Sequence, residues 1–398
     1  MPLFQKLTAE QQKTYVFFGA IGFMALALLT FAGWVQRPQP RDVYSMALPS
    51  STALESRVLF GGDVYWGRRM NDWSQQSPLK EAYPFSGLKT LDREQYDAWV
   101  VNFECPAIPG IKQPIGFVPQ LWEFNCDTDY LDEAAKWFNI VSLGNNHIAN
   151  QNREIGQETT RKTLDEHGIQ HFGGFNPHKK DDVCSVVSVP ARARITGEQK
   201  QVMLPVAMCG YHGVYYTITE SALAEIQKYA KYMPVVTYPH MGREYQATAD
   251  DRRRALYQKM IDYGADAVLG NHPHWVQPAE EYKGKPIFYS MGNFIFDQQF
   301  SPEVMRAAAI TAQFTLDEGA VPTEQLQAWV TLAESCKIDN DNCLTMAKQQ
   351  NLSKLPIHIT YDVISLDLSN QVTKKANMRT HEEVLARLNW NNVKQLLR

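Results

Sequence analysis

Five places in the 398-residue chain put a candidate metal ligand directly after a run of β-branched or apolar residues. Asp63 follows RVLFGG, Asn102 and Glu104 follow AWVV, and Asn145, Asn146 and His147 follow NIVSLG. His240 follows VVTYP, and His272 and His274 follow DAVLGN. Open α/β sheets build their sites just past the carboxyl ends of strands, so the placement matters as much as the residue types. Asp63, Glu104, Asn146, His240, His272 and His274 form an oxygen and nitrogen donor set without thiolate. Such a set suits a divalent Mn, Fe or Zn ion and is too imidazole-rich for Ca²⁺ or Mg²⁺. Pro273 forbids a helix between the two histidines, and an extended His-Pro-His is expected to aim both rings to one side. A carboxylate such as Glu104 could bridge two cations about 3.5 to 4 Å apart and bring a bridging water's pKa near neutrality, so one or two ions are expected. Singly, Asp63 and Asn146 read equally as turn or cap groups, Glu104 as a surface carboxylate and His240 as a satisfied interior histidine. Only the joint pattern points to a site.

The elements that must hold these residues follow α/β grammar. Strands are expected at 57–61, 98–103, 139–143, 183–189, 202–209 and 235–238, and at DAVLG. Helices are expected at 128–138, 155–167, 219–232 and 249–263. Beyond residue 284 the pattern turns β-rich, in PIFYSMGNFIF, AAAITAQFTL, QAWVTLA and IHITYDVISLDL, which favours layered sheets over a simple doubly wound one. A last helix is expected over 381–398, with Thr380 and Glu383 as its capping box.

A formal net charge of −4 excludes a strongly basic nucleic-acid binder, and 44% hydrophobic residues exclude a disordered chain. The amino-terminal end is unlike the rest. No charge falls between Lys13 and Arg37, and the run from Tyr15 to Val35 is almost wholly apolar. As a helix it would span roughly 31 Å, matching a bilayer's hydrocarbon thickness of about 30 Å. An uncleaved single-pass anchor is the reading preferred over a signal cut after Ala32, because the run exceeds the usual signal core of about 7 to 15 residues. Residues 37–56, rich in Pro, Ser and Gln, read as a tether. The six cysteines fit either an even disulfide set outside the cytoplasm or buried free thiols. If they pair, Cys336 with Cys343 is expected across a short polar loop, and Cys105 with Cys126 and Cys184 with Cys209 across neighbouring elements.

Gly62-Asp63 with Arg68, Asn102-Phe103-Glu104, Asn145-Asn146-His147, the HMGRE run from His240 to Glu244, GNHPH at 270–274 and the YSMGNFIFD run from Tyr289 to Asp297 occur in that order. This series resembles the motifs of the CapA family of capsule and poly-γ-glutamate synthesis proteins, a family itself similar to calcineurin-like metallophosphoesterases. The resemblance covers about residues 57–315. It implies a four-layer α/β sandwich over 57–370, with residues 1–36 as cytoplasmic tail and transmembrane anchor, 37–56 as linker and 371–398 as a closing helix. It implies metal ligation by the six residues named above and a catalytic or transition-state role for His147. Arg68 and Arg243 become candidate clamps for an anionic group, or else surface ion pairs. Asn293 and Asp297 are expected to hold the metal loops in place.

Two departures stand out. Metallophosphoesterases open with Asp-x-His, but Tyr65 stands two residues after Asp63, which leaves one metal position a ligand short. Asn150 stands where the family usually has Asp after its Asn-Asn-His. The implied protein is membrane-anchored with its body outside the cytoplasm, acting by metal-dependent hydrolysis on an anionic envelope polymer or a phosphate-bearing carrier. The alternatives are a non-enzymatic assembly factor for integral-membrane polymer synthase subunits, and metal-dependent peptide or α-carbon chemistry.

Overall fold

The computed structural model describes residues 52–120, 123–338 and 340–397. The anchor and most of the tether lie outside the described residues, among which no helix is long and apolar enough to cross a membrane. Among the described residues fourteen strands occur in chain order: β1 Thr52–Val64, β2 Ala98–Phe103, β3 Ile140–Ser142, β4 Gln170–Phe172, β5 Cys184–Ile195, β6 Glu198–His212, β7 Val235–His240, β8 Ala267–Leu269, β9 Val276–Tyr282, β10 Lys285–Met291, β11 Asn293–Ile295, β12 Arg306–Asp317, β13 His358–Asp367 and β14 Lys374–Lys375. The helices are α1 Arg68–Gln76, α2 Leu131–Ala134, α3 Glu154–Glu166, α4 Glu220–Ala230, α5 Asp251–Asp262, α6 Thr323–Ile338, α7 Asn340–Gln349, α8 Met378–Leu388 and α9 Trp390–Leu396. The fold is a mixed α/β one, as expected.

Two half-sheets meet at β1. On one side β1 runs parallel to β2, which continues through β3 to β4, and antiparallel to β12, which is in turn antiparallel to β13. On the other, a short antiparallel pairing of Leu54 with Ala193 links β1 to β5, and the order continues β6, β7, β8, β10, β9. Through β5 the directions work out so that β1, β2, β3, β6, β7 and β8 all point the same way. Their carboxyl ends therefore share one edge.

Side-chain alternation along the strands separates two apolar cores. Val58, Phe60, Ala98, Val100 and Ile310 face one core, while Leu59, Trp99, Val101 and Ala309 face the other. Two tight hairpins set register. Thr196-Gly197 and Lys283-Gly284 each have two residues at positive φ between paired strand ends, as a two-residue turn of the primed type requires. The covering helices obey ordinary caps: Thr219 accepts from Ala222 N at the start of α4, and Asp250 from Arg253 N at the start of α5.

Four local expectations need correction. The stretch QAWVTLA is not a strand but the middle of α6, where Leu326, Trp329, Leu332, Ala333 and Cys336 recur at helical spacing and are buried. That amphipathic period overrides the strand propensity of Trp, Val and Thr. The closing helix starts earlier, capped by Asn377 rather than Thr380, and breaks at Asn389, whose φ of 56° divides α8 from α9. The helix expected at 128–138 is only a 3₁₀ turn and the four residues of α2. Finally β1 begins at Thr52, inside the expected tether, because residues 52–56 pair with β12 and residues 54–55 also with β5.

All six cysteines are paired: Cys105 with Cys126, Cys184 with Cys209, and Cys336 with Cys343. Cys184 and Cys209 are direct cross-strand partners on β5 and β6.

Candidate metal centre

The shared edge carries a buried cluster of acids and imidazoles. Asp63 is the penultimate residue of β1, and it reaches the cluster because Gly62 lets the strand lie against Gly292. A Cβ at Gly62 would sit 1.8 Å from the Gly292 carbonyl oxygen, so no other residue fits. Glu104 follows β2 and is fixed by its backbone N–H to Val64 O at 2.9 Å. Asn146 is held by the turn that Asn145 closes, whose Oδ1 accepts from the backbone of His147 and Ile148 at 3.1 and 3.0 Å. His240 ends β7, and His272 and His274 lie in the turn after β8.

That turn differs from the expected extended His-Pro-His. His272 has φ 93° and His274 φ 57°, an uncommon conformation for residues with a side chain. The backbone is twisted so that each ring enters a different trio. Glu104, His240 and His272 form one and Asp63, Glu104 and His274 the other, each with ligand atoms within 4.8 Å of one another and every residue buried. Glu104 belongs to both.

Around His240 the donor atoms converge. Its Nε2 lies 3.3 Å from Glu104 Oε1, 3.2 Å from His272 Nδ1 and 2.7 Å from Asn146 Oδ1. Four ligands at about 2.1 Å from one tetrahedral ion would stand about 3.4 Å apart, so these spacings suit a common ion. Glu104 Oε2 is buried without a hydrogen-bond partner, a costly arrangement unless something positive completes it. In the second trio Asp63 Oδ2 lies 3.3 Å from His274 Nδ1 and accepts from the backbone of His272 at 3.2 Å. The residues present fit a divalent ion, and Glu104 is common to both trios.

Three asparagines orient these groups. Asn293 gives its amide hydrogens to Gln298 Oε1 and Val304 O, so its Oδ1 faces His274 Nδ1 at 2.8 Å. That leaves His274 Nε2 with the lone pair. Asn102 Nδ2 donates to Asp63 Oδ1 at 2.8 Å and lies 3.0 Å from His240 Nδ1. Asn145 in turn donates to Asn102 Oδ1 at 3.3 Å. Supporting partners of this kind fix the ring and tautomer of a ligating histidine.

The protonation pattern of the metal-free cluster follows from crowding. Burial alone would push His240 and His274 down, but Glu104 and Asp63 hold both at about 9. Burial would raise Asp63, but the two imidazoles hold it well below the usual carboxylate range. Burial, and then the Asp63 charge, raise Glu104. Burial, together with its positive neighbours, keeps His272 neutral. Positive imidazoles thus stand where a cation would.

His147 sits beside the cluster. Its ring stacks on Phe124 at 4.2 Å between centroids, and Nδ1 meets Asn150 Oδ1 at 2.9 Å. Burial depresses it to about 4, an effect the Asn150 hydrogen bond offsets only in part and the charges of His240, His274 and Arg68 reinforce. Arg68 places its guanidinium over Tyr65, Phe124 and Phe296 and pairs with Asp297 at 2.5 Å, while its Nε has no partner. Asp297 also accepts from the backbone of Arg69, so it holds the loop after β1. Arg243 is exposed on the loop after β7, with no ion pair among the described residues. Tyr65 is packed on Phe124 and Phe296, and its hydroxyl is buried without a partner. A cleft of about 630 Å³, lined by Asn146, Asn150, Arg153, Phe175 and Tyr215 among others, opens beside Asn146.

Phe124 and Gln113 were not visible from sequence as site residues. Both belong to the segment tied by Cys105–Cys126, and Gln113 Oε1 accepts from Arg68 N at 3.0 Å. The signal was the cysteine following Glu104, which places its partner's neighbours near the centre. His212, the β6 neighbour of His240, is a structural histidine: Nδ1 donates to Phe175 O at 2.8 Å and Nε2 accepts from Tyr215 N at 3.3 Å.

Comparison with known proteins agrees with the motif order. The family model described as bacterial capsule synthesis protein PGA_cap matches residues 57–298. The PGA biosynthesis protein CapA of Bacillus subtilis (strain 168) is 47% identical over 317 residues, covering 74% of this chain and 76% of that protein. The capsule biosynthesis protein CapA of Bacillus anthracis is 27% identical over 313 residues, covering 74% and 72%. The crystal structure of TT1561 of Thermus thermophilus covers 64% of this chain and 93% of its own at 9% identity, with a TM-score of 0.34, too weak a likeness to bear on fold or function.

Proposed function

The chain belongs to the CapA family of capsule and poly-γ-glutamate biosynthesis proteins, and from that premise we propose that it is a membrane-anchored metal-dependent hydrolase of the cell envelope. Its substrate on this reading is an anionic polymer or a phosphate-bearing carrier, and its body is a calcineurin-like four-layer sandwich. The observation that carries the reading is the buried Glu104 carboxylate, shared by two trios and left with one oxygen unpaired. Three disulfides and the uncharged run from Tyr15 to Val35 support an anchored body outside the cytoplasm.

A bound Mn, Fe or Zn ion, or a pair, would supply Lewis acidity toward a phosphoryl or carbonyl oxygen and activate water. Asp63, Glu104, Asn146, His240, His272 and His274 would hold it. The chain's own share is positional. Asn150 fixes the His147 ring through Nδ1, which leaves Nε2 to accept a proton or, once charged, to give one to a leaving oxygen. Arg68, neutralised only in part by Asp297, offers its remaining donors to an anion, and Arg243 is free to do the same from the rim.

A second reading, an assembly factor that keeps metal for structure and contacts membrane synthase subunits, is favoured by Tyr65 in a ligand's place and by His147 being neutral near pH 7. Metal content of the purified full chain, measured with hydrolysis of bis(p-nitrophenyl) phosphate, separates the two. Bound metal with turnover that His147→Ala lowers by about 10²- to 10⁴-fold supports the hydrolase. Bound metal without turnover supports the assembly role, and absence of metal removes both.

A further inference from the structure

Three successive residues on the wall of the cleft hold a backbone that their side chains disfavour. Gln151, Asn152 and Arg153 have φ of 57°, 81° and 52°. At Arg153 ψ is −119°, the conformation that opens a type II′ turn, where glycine is favoured. Asparagine tolerates positive φ, but glutamine and arginine gain nothing from it. Nor does the helix that follows ask for this entry. Arg153 is the N-cap of α3 and makes no side-chain cap hydrogen bond, where Ser, Thr, Asp or Asn would. A conformation opposed by local preference persists only where other contacts over-determine it.

Two contacts do so here. Gln151 Nε2 donates to Glu123 O at 2.7 Å, across 28 residues of sequence. Gly156, buried in the first turn of α3, lets the segment press on the helix. A Cβ there would stand 2.5 Å from Gln151 O and 2.7 Å from Asn150 O.

The neighbours of the two bonded residues are the ones that grip His147. Asn150 precedes Gln151, and its Oδ1 meets His147 Nδ1 at 2.9 Å. Phe124 follows Glu123, and its ring lies on the imidazole at 4.2 Å between centroids, with 12° between the planes. One hydrogen bond thus joins the edge contact and the face contact of a single ring.

We propose that Gln151 is a positioning residue for His147. Its bond to Glu123 O keeps residues 150–153 in their strained form, and so holds Asn150 at the edge of the imidazole and Phe124 on its face. The proposal rests on His147 as the proton-transfer group of the reading above, and adds what fixes the direction of its Nε2. Without the bond the segment relaxes toward negative φ, Asn150 leaves Nδ1, and the ring is free to turn. Gln151 itself touches no reacting atom, so its loss should lower kcat far more than it raises KM for a small substrate.

The full chain, chelated and carrying ¹³C at histidine Cε1, tests the position directly by NMR. The His147 line, assigned by its absence in His147→Ala, should be shifted upfield by the stacked Phe124 ring, and Phe124→Leu gives its place without the stack. Gln151→Met, similar in size but without the donor, should carry the line more than half of the way to that place while the other histidine lines stay. With metal restored and bis(p-nitrophenyl) phosphate as substrate, the same variant should lose about 10- to 100-fold in kcat with little change in KM. A His147 line that stays in place in Gln151→Met overturns the proposal. So does a displacement of all histidine lines together, which would mean a general structural loss, or a displaced His147 line with kcat unchanged in a parent that turns over. Failure of the hydrolase reading shows differently: the parent has no turnover, yet the His147 line still moves in Gln151→Met.

Discussion

The two half-sheets bring different chemistry to the centre, by different means. The β1–β4 half supplies the oxygen donors Asp63, Glu104 and Asn146, from strand ends and one turn tied down by asparagine hydrogen bonds. The β6–β10 half supplies the imidazoles of His240, His272 and His274, two of them on a turn with positive φ. Neither half holds a complete ligand set. Glu104 alone enters both trios, so the centre depends on the register in which the halves meet, and a bound ion would link them.

That contrast orders the expected losses. Glu104→Gln removes the group common to both trios, so metal should be lost from both positions, with affinity down by more than about 100-fold and a thermal midpoint that no longer responds to added metal. Elemental analysis and thermal denaturation with and without metal check this; a full complement of metal in Glu104→Gln would show that the halves do not share a ligand. His272→Ala and His274→Ala each strike one trio. Each should lower the metal stoichiometry by one ion while the other position still fills, and an identical all-or-none loss in both variants would mean a single ion. Asn293→Ala touches no ion directly but frees the His274 ring, so a loss of about 10- to 100-fold in affinity is expected by competition with a chelator. An unchanged affinity would assign Asn293 to packing.

The smallest effect is on pH dependence. In chelated protein His240 and His274 are held at about 9, above the value of about 6.5 expected when unfolded. Raised folded values stabilise below the unfolded pKa, so the metal-free thermal midpoint should fall as pH rises from about 6.5 through 9. Metal-loaded protein, whose imidazoles are already neutral ligands, should show no such decline. A decline in both forms would place its origin elsewhere.

Much of this was legible in one dimension. The strands VVTY and AWVV, the helices near 155–167, 219–232 and 249–263, and the three cysteine pairings stand close to where periodicity and spacing put them. Long-range competition is what misled at QAWVTLA, since Trp, Val and Thr suit either structure and only burial against β5 and β6 selects the helix. The three-residue strand β4 was missed because Gln170–Phe172 is too short for any period.

Residue type and order alone determined the family, the donor chemistry and the strand ends that carry it, because these depend on composition and on neighbours in the chain. Tertiary structure decided which donors share an ion, that Glu104 belongs to both trios, that His272 and His274 turn to different partners, and that Phe124 lies under His147. Those outcomes depend on how β1 meets β5 and on how closely Gly62 approaches Gly292, contacts between residues more than a hundred positions apart that no local pattern encodes.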